Sequence, residues 1–341
     1  MEVVRKISRI GAFVFVALVI VICGFRGAAE LREGRMPSEI APASGRFIQV
    51  SDARIFLQEQ GPVDGLPVML VHGTGAWSGL WAETTSLLAA KGYRTVSVDL
   101  PPFGFSELSV SDDYSRAAQA RRLSEVVEAL GGPPPILVGH SYGGGPVAEF
   151  ALREADKLRE LVLVDAALGI GEVSGKPLPL PLRSQALREA LVSLTASNPL
   201  MTKRILSAFI YRKERALPEY VAILSRPLAK RGYTSTVAKW LPHLLSVDAD
   251  AASAREDPWR KLELPVEILW GDKDTVTPLA RAEHLAKLLP RARLTVLPGV
   301  GHIPQVEAPV PFQDALIRAL GTARVADVCT EAMAPLTECQ S

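Results

Sequence analysis

The amino-acid sequence predicts an α/β fold: a mostly parallel eight-stranded sheet with helices on both faces and an inserted helical cap. Three observations predict it. Short apolar runs bounded by Gly and Pro alternate with stretches of helical periodicity, the rhythm of strand–helix–strand units joined by right-handed crossovers. That rhythm stops between Leu168 and Pro258, where helical patterns continue with no convincing strand. The 341-residue chain is 48% apolar and 22% charged, as expected of a globular protein with a large core.

The elements follow in order. Residues 1–25 open with Arg5, Lys6 and Arg9 and continue into an unbroken apolar run from Ile10 to Phe25. At about 16 residues, that run exceeds a usual signal-peptide core and falls short of a typical membrane span of about 20. It reads as an N-terminal membrane anchor, with a signal segment cleaved near Ala29 as the alternative. Basic residues flank the run on both sides, so charge gives little orientation. Cys329 and Cys339 could pair in an oxidising compartment, which tilts the expectation toward an extracytoplasmic domain. Residues 26–45, rich in charge with Pro37 and Pro42, read as a linker.

Phe47–Val50 and Ala53–Gln60 read as two opening antiparallel strands. Pro67–Val71, Thr95–Asp99, Ile136–Gly139, Leu161–Asp165, Val266–Trp270 and Leu294–Leu297 are near-continuous apolar runs, typical of strands buried on both faces. Helical patterns such as "YSRAAQARRLSEVVEALGG" and "LARAEHLAKLLP" separate them. The expected organisation is a core of residues 46–168 and 258–322, a cap of residues 169–257, and a tail of residues 323–341. The formal net charge of +1 gives no electrostatic reason to expect a nucleic-acid partner.

Ser141 stands in "LVGHSYGGGP", directly after one of these strands and directly before a helical pattern. A turn that sharp leaves no room for side chains two residues before and two after the serine, and those positions are Gly139 and Gly143. The helix starting there brings free N–H groups beside the hydroxyl, where a developing oxyanion would sit. A serine nucleophile needs a base, and the base an orienting acid. Of five histidines, His302 follows the last strand on a loop that can reach over the sheet's carboxyl end. His72 and His140 read as structural, His243 lies in the cap and His284 lies mid-helix. Asp272, Asp274 and Asp165, each at a strand end, remain open as the acid.

The order Ser, Asp, His, with "HGTG" after the third strand and "DLPPFGFS" after the fourth, resembles the α/β-hydrolase superfamily. The resemblance spans roughly residues 47–320 and implies a capped, serine-nucleophile, esterase-like member. Its acid pattern G-x-x-D falls on Gly271 and Asp274. Its base pattern G-H-x-P-x-x-E-x-P falls on His302. It implies an oxyanion hole from the backbone N–H groups of Thr74 and Tyr142. Pro102 departs from the family's usual glycine, and Glu307 and Pro309 are expected to start the last helix.

The resemblance therefore implies a serine hydrolase acting on a small or medium apolar ester, with no cofactor or metal. Carbon–carbon hydrolases and cofactor-free perhydrolases share the layout. A non-catalytic ligand-binding protein of the same fold is the alternative from another class. In the cap, Phe209, Tyr211, Tyr220 and the leucines are expected to pack its core and line an apolar pocket. Lys203, Arg204, Arg212, Lys213 and Arg215 read as a solvated face.

Overall fold

In a computed structural model of the protein, residues 2–172 and 175–332 are described, without the side chains of residues 2–8, 14, 15, 18 and 322–332. The sheet contains β1 (Gly45–Gln49), β2 (Arg54–Gln60), β3 (Leu66–Val71), β4 (Tyr93–Val98), β5 (Ile136–His140), β6 (Glu160–Val164), β7 (Val266–Gly271) and β8 (Ala292–Leu297). Their spatial order is β1-β2-β4-β3-β5-β6-β7-β8. β2 runs antiparallel to both β1 and β4, and all the pairs from β4 through β8 are parallel. β5 is therefore central, and the order reverses beside it. This is the position where an open parallel sheet leaves a crevice at its carboxyl edge.

The apolar runs divide between two faces with period two. Met69 and Val71 of β3 face one cluster, with Leu123 and Phe150; Val68 and Leu70 face the other, with Trp81, Phe312 and Leu316. The main helices are α1 (Glu2–Arg32), α2 (Ala82–Ala90), α3 (Arg116–Leu130), α4 (Gly144–Arg153), α5 (Gln185–Leu194), α6 (Thr202–Phe209), α7 (Pro218–Ser225), α8 (Tyr233–Leu245), α9 (Leu279–Leu288) and α10 (Pro309–Ala332). α3 starts cleanly because the Ser115 hydroxyl accepts the Ala118 N–H at its N-terminus. The segment between β6 and β7 holds α5 to α8, and no described residue of it joins the sheet.

The leading segment differs from expectation. Residues 26–32 continue α1, and Pro37–Ile40 form a further helical turn. Arg26 donates to Glu189 of α5 at 2.8 Å, and Arg32 donates to the Ser197 and Leu228 carbonyls at 2.7 and 3.1 Å. The buried Glu33 carboxylate accepts the Thr234 N–H at 2.9 Å and also bonds the Thr234 hydroxyl. Charges that read as solvated linker are partners for cap groups far along the chain. Among the described residues, no helix is long and apolar enough to cross a membrane. At the other end, α10 runs on to Ala332, past the expected start of the tail. A pairing of Cys329 with Cys339 lies outside the described residues.

Lys230 joins three parts of the chain. Its backbone neighbours Ala229 and Arg231 hydrogen-bond Arg35. Its fully buried ammonium donates to the carbonyls of Pro102 at 2.7 Å and Ser106 at 3.0 Å, on the loop after β4. Burial pushes it down to about 7, against the pull of Asp99 and Glu33. The carbonyl at the position where proline departs from the family pattern is thus bound by a lysine of the inserted segment.

Candidate active site

β5 ends at His140, and Ser141 takes a left-handed backbone conformation with φ 51°, costly for a non-glycine residue. A Cβ on Gly139 would run into the Val147 side chain and lie 2.9 Å from the Gly143 carbonyl. One on Gly143 would strike the His72 carbonyl and lie 2.9 Å from that of Val71. Gly139 lets the following helix fold back onto β5, and Gly143 lets the turn that holds Ser141 lie against the end of β3. Ser141 and Asp165 are two of the three described non-glycine residues with positive φ, and both terminate central strands.

His302 reaches Ser141 from the loop after β8. Its Nε2 lies 2.7 Å from Ser141 Oγ and its Nδ1 lies 2.8 Å from Asp274 Oδ2. Asp274 sits on the loop after β7 and is fixed by four donors. Besides His302, it accepts the Val276 and Thr277 N–H groups at 2.7 and 3.0 Å and the Thr277 hydroxyl at 2.6 Å. Burial would raise its carboxyl, but the bonds and charge of His302, with the Thr277 bonds, hold it below the ordinary carboxylate range.

The other histidines have structural partners. Burial, then the neighbouring His302, pushes His140 down to about 3, so it is neutral, and its Nε2–H donates to the His302 carbonyl at 2.8 Å. Burial pushes His72 down to about 4; its Nδ1–H donates to the Gly73 carbonyl, and its Nε2 accepts the Leu100 N–H. His243 bonds Asp248 and the exposed His284 bonds Glu256. Asp272 points away from His302 and accepts the Gly299 N–H at 2.6 Å. Asp165 is fully buried beside the site.

Sequence reasoning missed the role of Glu307. Its buried carboxylate accepts N–H bonds from Gly301, Tyr211 and Arg212 at 3.0, 2.9 and 3.0 Å, tying the His302 loop to the cap. Its place in the sequence "GHIPQVEAP" was the available signal.

Ser141 and His302 line a cavity between the carboxyl end of the sheet and the inserted helices. Thr74 lies on its core side, and Ile205, Leu206, Phe209 and Leu224 form its roof. Phe209 also packs against the His302 ring, with centroids 5.8 Å apart. Tyr142 turns its ring away from the site, against Phe103 and Trp240. None of the described lining residues is Lys, Arg, Asp or Glu. Lys203, Arg204, Arg212 and Lys213 are exposed, Arg215 is half-buried, and none of the five lines the cavity.

Among the described residues, Asp165, Asp274 and His302 form the one group with metal-ligand spacing. Asp274 already accepts from four hydrogen-bond donors, which suits an orienting acid better than a metal ligand.

The family model for the alpha/beta hydrolase fold matches residues 67–309. The chain belongs to that family, and it is an enzyme of the hydrolase class. It is 27% identical to a 2-hydroxymuconate semialdehyde hydrolase of Pseudomonas sp. (strain CF600), over 80% of this chain and 92% of that protein. It is 29% identical to Lipase 1 of Psychrobacter immobilis, over 76% of this chain and 78% of the relative. In structure it resembles a protein described as a membrane phospholipase A and bacterial virulence factor. That match has a TM-score of 0.65 and 23% identity, and covers 95% of this chain and 97% of the other.

Proposed function

We propose that the protein hydrolyses carboxylic esters of small or medium apolar substrates through an acyl-enzyme on Ser141. One observation carries the reading: an unbroken hydrogen-bonded line from Ser141 through His302 to Asp274, on the floor of an apolar cavity. In this reading Ser141 Oγ attacks the ester carbonyl as its proton passes to His302 Nε2. Asp274 holds the imidazole with Nε2 free to accept that proton, and stabilises the cation that results. The backbone N–H groups of Thr74 and Tyr142 receive the tetrahedral oxyanion. His302 then protonates the departing alcohol, and a water activated by the same imidazole releases the acid and restores Ser141.

The lining favours an ester over the substrates of the carbon–carbon hydrolases. One such relative is named for a dienoate, hence a carboxylate substrate. A carboxylate in a cavity without a basic side chain would be desolvated without a partner. Membrane attachment through the N-terminal segment belongs to the same proposal. Phe13 and Ile20 of α1 are 75% and 65% exposed, an unusual state for large apolar side chains.

Purified protein assayed with p-nitrophenyl esters of graded acyl length, and with carboxylate-bearing analogues of equal length, tests the reading. Turnover of the uncharged series, with fluorophosphonate labelling confined to Ser141, supports it. Preference for the charged series would refute the substrate class. Absence of both turnover and labelling would favour a ligand-binding protein on the same fold.

A further inference from the structure

Asp165 and Asp274 follow the neighbouring strands β6 and β7, and both are buried. One carboxylate oxygen of each, together with a ring nitrogen of His302, lie within 4.8 Å of one another. The donors are divided very unequally. Asp274 receives four. Asp165 receives one, the Gly271 N–H on Oδ1 at 2.9 Å, and its Oδ2 is buried with no hydrogen-bond partner. Two carboxylates this close in dry surroundings do not both ionise, and the one with fewer donors keeps the proton. The backbone at Asp165 is also strained, with φ 43°, and the Thr277 hydroxyl bonds its carbonyl as well as the Asp274 carboxylate. Such strain persists where the surroundings impose it.

We propose that Asp165 is a positioning residue for the Ser141–His302–Asp274 line: a neutral carboxylic acid beside Asp274 that leaves one negative charge facing His302. The inference rests on the serine-hydrolase reading for its catalytic meaning. The groups facing Asp165 agree with it. Burial raises its carboxyl well above the ordinary range, and the charges of Asp274 and Glu307 push the same way. The Arg116 guanidinium donates to the Ala167 and Leu168 carbonyls rather than to Asp165. The protonated Oδ2 can donate toward Asp274, adding a fifth donor to the acid that orients the base.

The test is Asp165→Asn, which keeps an acceptor for Gly271 and a donor toward Asp274. If Asp165 is neutral, kcat/KM changes less than about threefold and the acid limb of its pH profile stays in place. If Asp165 is ionised, removing a charge about 5 Å from the imidazole moves that limb down by about one pH unit or more, which overturns the proposal. Asp165→Ala, lacking the donor, should lower kcat about 10- to 100-fold per phosphonate-titrated site and move the acid limb up. A loss of titratable sites alone, with the limb unmoved, would mean a purely structural role.

Infrared spectroscopy separates the proposal from the assigned activity. Wild type at neutral pH should show a protonated-carboxyl band that Asp165→Asn lacks, whether or not esters are turned over. In Asp274→Asn that band should vanish at lower pH than in wild type. Absence of the band, or no change in its pH dependence, would overturn the proposal even in an active esterase.

Discussion

Glu307→Gln isolates a contact that holds the base without touching substrate. Three backbone N–H groups converge on one carboxylate oxygen at 2.9–3.0 Å, from Gly301 beside His302 and from Tyr211 and Arg212 in the cap. The Ile303 N–H reaches the other oxygen at 3.4 Å. Hydrogen bonds to an ionised acceptor are roughly twice as strong as neutral ones. Neutralising this one should therefore cost about 0.5–1 kcal/mol for each of the three bonds, about 1.5–3 kcal/mol in all. At roughly 2–4 °C per kcal/mol, the melting temperature should fall by about 3–12 °C. Gly301 and Ile303 flank His302, so the loop that loosens carries the base. A displacement approaching 1 Å costs on the order of 10² in rate, which sets an expected 10- to 100-fold loss in kcat with little change in KM. Differential scanning fluorimetry and p-nitrophenyl ester kinetics on the same preparation would measure both. A variant melting within about 1 °C of wild type, with turnover within twofold, would refute the reasoning.

Asp274→Asn should keep the fold yet lower kcat by about 10⁴, as in the best-studied triad, because the amide holds the wrong imidazole tautomer. Asp272→Asn, measured in the same assay, should cost less than about tenfold. Burial, then the charge of Glu267, raises the Glu160 carboxyl to about 8. The folded chain therefore binds the extra proton between about pH 4.5 and 8, and stability from this group falls as pH rises through that window. Glu160→Gln should leave urea stability unchanged near pH 4 and raise it near pH 9, by on the order of 2–4 kcal/mol at most. A chain starting at Arg46 should lose membrane association, scored by alkaline carbonate extraction. It should also melt lower than the full chain, because Glu33 and Arg32 leave with the removed segment.

The sheet and the serine turn were legible because both are local. A strand buried on both faces must be an apolar run, and the steric demand at Ser141 is met by two glycines within two residues of it. His302 follows an identifiable strand, whereas strand position left three aspartates open and only the G-x-x-D pattern of the resembling family singled out Asp274. The features that escaped are all long-range. Glu33 reads as one charge in a polar stretch until Thr234 comes to meet it. Asp165 was weighed as the orienting acid, and its place beside Asp274 depends on two strands separated by the whole cap. Lys230 carries no mark of burial, since nothing in its neighbourhood announces the carbonyls of Pro102 and Ser106. Partners distant in sequence leave no periodicity to read.

The arrangement around Lys230 determines how a mechanical load would travel. A pull on α1 is shared between the backbone that leads on to β1 and the bonds of Arg26, Arg32 and Glu33 to α5, the Ser197 and Leu228 carbonyls, and the start of α8. Lys230 passes part of it on to the loop after β4. Whatever restrains the first helix therefore also loads α5 and α8, so a tether at one end of the chain is felt in the inserted helices far along it.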